Sequence, residues 1–131
     1  MKILFPIPLG GGNRGCEAIT LSTVKILNFP KEQIIALSNN IPLDRRLGLD
    51  KHVTLQTPPP TTIGFKIRRK LLKVLTQKDS LAITYTYQHT YLPFLKQASK
   101  NDIMLSTGGD MMCYGNNQVI YTNEIMASQG I

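Results

Sequence analysis

The sequence predicts an α/β domain whose parallel sheet carries helices on both faces. Short apolar runs alternate along the chain with longer segments of helical periodicity, and this alternation is typical of a parallel sheet. Glycine-rich turns follow the first and the fourth apolar run, at the points where a strand of an α/β fold passes into a helix. Right-handed crossover connections then favour the strand order 3-2-1-4, with the first and fourth strands as neighbours.

Four strands are predicted from short runs of apolar or β-branched residues that polar residues and turns bound. They cover residues 2–9, 33–38, 52–56 and 102–106, and the third is placed at an edge of the sheet. A further strand is expected after Ile131 in the alternating pattern, and 131 residues make one domain of ordinary size or one half of a two-domain enzyme. The sheet edge beside the fourth strand would then lack a partner, and our hypothesis is a homo-oligomer that forms through that edge.

The first helix is predicted from residue 13 or 15 to Asn28, because Pro30 restricts the backbone just before it. Its apolar and small positions recur at helical spacing. They are Ala18, Ile19, Ser22, Ile26 and Leu27. A last helix is predicted over residues 118–128, with Gly130 just beyond its end.

A basic amphipathic helix is predicted after the proline run at residues 58–60, with Thr61 or Thr62 as its N-cap. Its apolar residues form one stripe that we expect to pack on the core: Ile63, Ile67, Leu71, Val74 and Leu75. Much of the net charge of +7 lies on and just beyond its other face: Lys66, Arg68, Arg69, Lys70, Lys73 and Lys78. That face is interpreted as solvated surface, with peripheral contact to a membrane or a polyanion as the alternative. No nucleic-acid partner is expected, because the sequence has no RNP motif, zinc finger or paired aromatic platform.

Residues 80–100 combine two patterns. Residues 82–87 favour a strand, and residues 88–99 favour a helix that begins near Thr90 or Tyr91, with Pro93 in its first turn. His89 lies among three tyrosines, Tyr85, Tyr87 and Tyr91. We interpret it as a surface residue or a satisfied polar residue, with an acid–base or sugar-binding role as the alternative.

The composition is that of a globular protein and excludes several classes. No apolar stretch approaches the roughly 20 residues of a membrane span. No A-x-A-like cleavage site follows the N-terminal apolar run, so a cytoplasmic location is expected. Cys16 and Cys113 lack a second cysteine or a histidine at metal-ligand spacing, so we assign no metal site. We interpret both as small apolar residues, with a reactive-thiol role as the alternative.

The glycine-rich turn at residues 10–15 has the composition of an anion-binding turn. Its glycines let a ligand approach the backbone closely, and the start of the following helix favours negative charge. Arg14 is a further candidate anion contact. The turn lacks the Gly-Lys-Ser/Thr of a Walker A loop and the later acidic residue of a dinucleotide site. A tight turn that only packs a helix against a strand is therefore the alternative.

Two segments resemble the signatures of the polysaccharide pyruvyl transferase family. Residues 12–19, GNRGCEAI, resemble the family's N-terminal G-N-x-G-D-E-A-I, with Cys16 in place of the aspartate. Residues 102–110, DIMLSTGGD, are similar to its second signature, in which an aspartate-led strand enters a glycine-rich turn. The two segments lie far apart in the chain, so the resemblance covers it from end to end.

The resemblance implies a Rossmann-like domain similar to the N-terminal half of a GT-B fold, with the active site in a cleft between two halves. It implies transfer of a pyruvyl group from phosphoenolpyruvate to a pair of sugar hydroxyls in surface polysaccharide biosynthesis, without a cofactor. Because members of the family are much longer, the resemblance implies that residues 1–131 are a single N-terminal domain that is cut where the next strand should begin. Catalytic groups are expected on the missing C-terminal half, and residues 1–131 alone are expected to be nearly inactive. Two alternatives stay open: a non-catalytic sugar- or polyanion-binding domain, and the N-terminal half of a GT-B glycosyltransferase.

The candidate substrate-binding residues lie in the two glycine-rich segments. They are Gly11, Gly12, Asn13, Arg14, Gly15, Glu17, Thr107, Gly108, Gly109 and Asp110. Glu17 is interpreted as ordering the loop or capping backbone N–H groups. Asp110 either accepts hydrogen bonds from sugar hydroxyls or caps its own turn.

Overall fold

The protein contains a four-stranded parallel sheet. The structure is a computed structural model, and it describes residues 1–6, 14–77 and 79–105 together with Glu124 and Ala127. The strands are β1 (Ile3–Phe5), β2 (Ile34–Leu37), β3 (Thr54–Gln56) and β4 (Ile103–Met104). The helices are α1 (Arg14–Leu27), α2 (Ile41–Arg46), α3 (Ile63–Thr76) and α4 (Asp79–Leu95), with short 3-10 turns at residues 31–33 and 49–51. The order β3-β2-β1-β4 confirms the predicted strand order and the position of β3 at an edge.

The strands are shorter than the sequence suggested. Pro6 follows β1 directly, and proline has no N–H group to donate to a neighbouring strand, which limits the pairing of this strand. The last part of the predicted first strand, residues 7–9, lies outside the described residues, as does the helix predicted over residues 118–128 apart from Glu124 and Ala127.

The core lies on both faces of the sheet because consecutive residues of a strand point to opposite sides. Ile3 and Phe5 of β1 pack in one cluster with Val24 of α1. Leu4, between them, packs in a second cluster with Tyr91 and Leu95 of α4. The predicted placement of helices on both faces of a parallel sheet is therefore confirmed.

The buried face of α1 differs from the predicted one. Ile26 is 82% exposed, and Ile19, Ala18 and Ser22 are exposed as well. The buried positions are instead Glu17, Thr20 and Val24, with Leu27 packed at the rim of the cluster. A polar residue takes a core position here because the Thr20 hydroxyl donates to the Cys16 carbonyl at 2.8 Å, which satisfies its hydrogen bond inside the helix.

The prediction of a strand at residues 82–87 is wrong, because this segment belongs to the 17-residue helix α4. Pro93 lies near the C-terminal end of that helix and not in its first turn. A proline there removes one helical hydrogen bond, but the last turn still closes, since the Lys96 N–H donates to the Leu92 carbonyl at 2.9 Å. Burial of Phe94 and Leu95 against the sheet supports this proline-containing turn.

Helix α3 begins where predicted but packs differently. Thr62 is its N-cap, since the Thr62 hydroxyl oxygen accepts a hydrogen bond from the Phe65 N–H at 3.2 Å. The expectation that its apolar stripe packs on the core is wrong. Every residue of that stripe is exposed, by 52% to 78%: Ile63, Ile67, Leu71, Val74 and Leu75. Phe65 is the buried residue of α3, and its ring lies against Tyr85 and His89 of α4, outside both core clusters of the sheet.

Candidate functional site

The carboxyl ends of β1 and β4 lie side by side. The two strands pair in parallel, with Leu4 opposite Met104. The Leu4 carbonyl accepts a hydrogen bond from the Leu105 N–H at 2.9 Å, which continues the pairing one residue beyond β4. The two chain segments that follow these strands therefore leave the sheet at the same edge, where open α/β sheets bind ligands.

The glycine-rich turns themselves lie outside the described residues. This applies to seven of the candidate residues: Gly11, Gly12, Asn13, Thr107, Gly108, Gly109 and Asp110. The described part of the candidate site is the first turn of α1, with Arg14, Gly15 and Glu17.

The first turn of α1 pairs an exposed cation with a buried acid. The Arg14 side chain is 80% exposed, whereas that of Glu17 is only 10% exposed, and Arg14 Nη1 lies 3.6 Å from Glu17 Oε2. Among the described residues, Glu17 Oε2 accepts no hydrogen bond. A buried carboxylate oxygen is costly without a donor, so this oxygen is suited to accept one from a neighbouring N–H or hydroxyl group.

Asp102, which begins the second signature, lies at the opposite end of β4 from the glycine-rich turn. Its Oδ1 accepts from the Lys2 N–H at 2.6 Å, and its Oδ2 accepts from the Ser99 N–H at 2.9 Å. The hydrogen bonds from the Ser99 and Lys2 backbones lower the pKa of Asp102 from its ordinary value. Asp102 thus acts as a structural residue that joins β4 to β1 and closes the turn before β4.

The aromatic residues of α4 do not form a single cluster. Tyr85 and His89 pack against Phe65 of α3, with ring centroids 5.2 Å and 4.1 Å away. Tyr87 stacks on Tyr91 at 5.7 Å and belongs to the packing of α4 on the sheet. Burial, followed by the neighbouring Tyr87, raises the pKa of Tyr91 to about 12. The three tyrosines and His89 therefore make packing contacts with other aromatic rings, and the neighbour of the His89 ring is Phe65.

A basic groove lies between α3 and α4, with a volume of about 420 Å³. It is lined by Lys66, Arg69, Lys70, Lys73, Asp79, Ala82 and Ile83. Asp79 Oδ1 pairs with Lys73 Nζ at 3.0 Å, which leaves an excess of positive charge in the groove. The sequence predicted the basic face of α3 but not the groove, because residues 82–87 of its opposite wall were predicted as a strand.

A buried polar network at the end of β2 was also missed. Ser38 and Asp44 are fully buried, and the Ser38 hydroxyl donates to Asp44 Oδ2. The Asn40 N–H donates to the Ser38 hydroxyl oxygen at 3.1 Å, and Asn40 Oδ1 caps α2 by accepting from the Leu43 N–H at 3.2 Å. The sequence signal was the Asn-Asn-x-Pro turn, which predicts a break but not a buried acid. The network holds the chain where it leaves β2.

No metal centre and no membrane-spanning helix is found in the part of the chain that the structure describes. No three histidine, cysteine or acidic side chains gather there as potential metal ligands. The helices of that part are too short or too polar to cross a bilayer.

Comparison with models of known protein families, with curated proteins and with solved structures finds no match for this chain. The fold class is therefore defined by the sheet itself, a four-stranded parallel sheet with helices on both faces. A functional assignment rests on the residues at the carboxyl edge of that sheet.

Proposed function

We propose that this chain is the Rossmann-like N-terminal half of a polysaccharide pyruvyl transferase. The observation that carries the proposal is the parallel pairing of β1 with β4. The chain runs from β1 toward the first segment that resembles the family's signatures, and β4 lies within the second segment, so the chain leaves both strands from neighbouring positions at the carboxyl end of the sheet. That edge is where a doubly wound sheet places its ligands.

The proposed reaction joins phosphoenolpyruvate to two hydroxyl groups of one sugar. The enol CH₂ carbon gains a proton and becomes a methyl group, and the adjacent carbon forms two bonds to sugar oxygens. The bond from that carbon to the phosphate oxygen breaks, and inorganic phosphate leaves. The two sugar hydroxyls lose two protons; one equals the proton that the new methyl group gains, and the other leaves with the phosphate. No oxidant or reductant is needed.

The chemistry requires donors for the carboxylate and phosphate of phosphoenolpyruvate and an acid for the enol carbon. In the proposal, Arg14 and the backbone N–H groups of residues 11–15 bind the anion, because Arg14 is exposed at the start of α1 where the helix dipole favours negative charge. Glu17 orders this turn, and Asp110 accepts from sugar hydroxyls. Cys16 supplies no carboxylate, so no acid–base role is assigned to its position.

The proposal includes a cytoplasmic location and a GT-B arrangement in which a second Rossmann-like half supplies the acid. It follows that residues 1–131 alone should turn over almost no substrate. Measurable phosphate release by that fragment would contradict the assignment of the catalytic acid to the second half.

The test is phosphate release by the full-length gene product with phosphoenolpyruvate and a panel of simple sugars. We expect Arg14→Ala to raise KM for phosphoenolpyruvate by about ten- to a hundredfold, since a hydrogen bond to a charged group is worth roughly 1.5–3 kcal/mol. Lys25→Ala is the matched control, because it removes one exposed cation from the last turn of the same helix.

Three results would overturn the proposal or its assignment of Arg14. Turnover of a nucleotide sugar without any phosphate release from phosphoenolpyruvate would favour a glycosyltransferase. Binding of a sugar or polyanion without turnover of either donor would favour a binding domain. An equal effect of Arg14→Ala and Lys25→Ala would remove Arg14 from the site.

A further inference from the structure

The exposed stripe of α3 is a continuous apolar surface. Its five residues, named here the α3 stripe, are Ile63, Ile67, Leu71, Val74 and Leu75, and each is at least 52% exposed. They recur at intervals of four, four, three and one residues, which places them on one side of a 14-residue helix about 21 Å long. Single exposed apolar residues are ordinary, but a contiguous row marks an interaction surface.

The charges of α3 have a single sign. Between Ile63 and Thr76 the helix has no acidic residue and five basic ones: Lys66, Arg68, Arg69, Lys70 and Lys73. At 3.6 residues per turn, Lys66, Lys70 and Lys73 fall along one side of the α3 stripe and Arg68 along the other. The stripe is thus bordered by cations on both sides.

The attachment of α3 to α4 turns the stripe away from the domain. Phe65 is 6% exposed, stacks on Tyr85 and packs against the tilted ring of His89. Leu72 and Thr76, seven and eleven residues after Phe65, are half-buried on the same side of the helix. With this side against α4, the α3 stripe lies on another side of the helix.

We propose that α3 binds the surface of a bilayer that contains anionic phospholipids. The α3 stripe enters the boundary between headgroups and acyl chains, as in other helices that lie in the membrane plane. The long lysine and arginine side chains reach back to the headgroups, and the basic groove between α3 and α4 accepts lipid phosphates. In that groove Asp79 faces the cations, and its pairing with Lys73 cancels one charge of the four.

Charge complementarity favours lipid over a globular partner. A protein that covered the stripe would have to place acidic residues along both of its borders, whereas an anionic leaflet offers negative charge everywhere around an apolar interior. The inference does not depend on pyruvyl transfer, because it uses no residue of the glycine-rich edge.

The first experiment uses tryptophan as a reporter, because the chain contains none. Leu71→Trp places the indole in the α3 stripe, and Ile26→Trp places it at an exposed apolar position of α1, where Ile26 is 82% exposed against 52% for Leu71. With vesicles of phosphatidylcholine and phosphatidylserine, we expect the fluorescence of Leu71→Trp to shift to the blue and to be quenched by brominated lipid. We expect neither change for Ile26→Trp or with pure phosphatidylcholine.

The second experiment measures vesicle flotation of stripe and charge variants. Ile67→Ser should weaken binding about tenfold, the effect of withdrawing much of one isoleucine side chain from an apolar phase. Lys70→Gln should weaken it about fivefold, since a basic residue near an anionic surface is worth roughly 1 kcal/mol. The controls, Ile26→Ser and Lys25→Gln, are exposed residues of α1 and should leave binding unchanged.

Three outcomes would overturn this inference. Blue-shifted emission of Leu71→Trp before vesicles are added would mean that the chain itself covers the stripe. A change from dimer to monomer on Ile67→Ser would make the stripe a contact between two copies. Binding to soluble polyphosphate, with no binding to any vesicle, would assign the groove to a polyanion. Phosphate release with a soluble sugar acceptor is measured without vesicles, so failure of the transferase proposal remains distinguishable.

Discussion

Removal of the Phe65 ring by Phe65→Ala should detach α3 from α4. The side chain is 6% exposed, and burial of a phenylalanine of this kind contributes about 1.5–3 kcal/mol. Its aromatic contacts with Tyr85 and His89 add roughly 1 kcal/mol. We therefore expect a loss of about 3 kcal/mol, at the low end of the range for phenylalanine truncation in protein cores.

Native-state hydrogen exchange is the informative assay, because the loss is expected to be local. The amides of α3 should exchange faster by about a hundredfold or more, while those of β1 and β2 change little, since Phe65 does not belong to either sheet cluster. Ile67→Ala is the control, and at 62% exposure it should cost no more than about 0.5 kcal/mol. If Ile67→Ala accelerated exchange as much as Phe65→Ala, the stripe would be buried and the reasoning would be refuted.

Two further predictions concern acid stability and a helix end. Because hydrogen bonding lowers the pKa of Asp102 in the folded state, the stability it provides is present above the ordinary aspartate pKa and is lost as the pH falls through the lowered value. Urea unfolding should accordingly show Asp102→Asn less stable than the wild type at pH 6, with a gap that narrows as the pH falls below the ordinary aspartate pKa. A gap that stays the same over that fall in pH would contradict the assignment. Gln77 ends α3 with a φ of 52° in the left-handed region, which strains a residue with a side chain. Gln77→Gly should therefore raise the free energy of unfolding by about 0.5–1 kcal/mol. Asn28→Gly, at a φ of 50°, should raise the stability by less, because asparagine tolerates this region better. Thermal unfolding is the assay, and a lower stability of Gln77→Gly than of the wild type would rule the strain out.

The order of the strands was predictable because it depends on properties that a sequence records. Buried parallel strands are apolar on both faces, so β1 and β2 read as continuous apolar runs such as Ile34–Leu37. The right-handed connection rule then left few arrangements, and the observed one was among them. The adjacency of β1 and β4, on which the candidate site depends, follows from the same rule.

Burial of helix faces was less predictable, because periodicity identifies an apolar face but not what covers it. In α3 the periodicity identified the apolar stripe correctly, yet the side of the helix that packs against α4 contains Phe65 and not the stripe. In α1 the isoleucines are exposed, and the buried face contains Thr20, whose hydroxyl donates a hydrogen bond within the helix. Residues 82–87 are rich in tyrosine and threonine, which favour strands locally, but packing against Phe65 and the sheet stabilises a helix.

The position of β1 bears on how the chain folds during its own synthesis. Of the four strands of the sheet, β1 leaves the ribosome first, but its partners on either side come from residue 34 onward and from residue 103 onward. One edge of the nascent strand therefore waits for about a hundred residues of translation, which takes several seconds at typical elongation rates. Pairing across so long a separation also closes a large loop, so the Ile3–Ile103 ladder is expected to form late and to limit the folding rate.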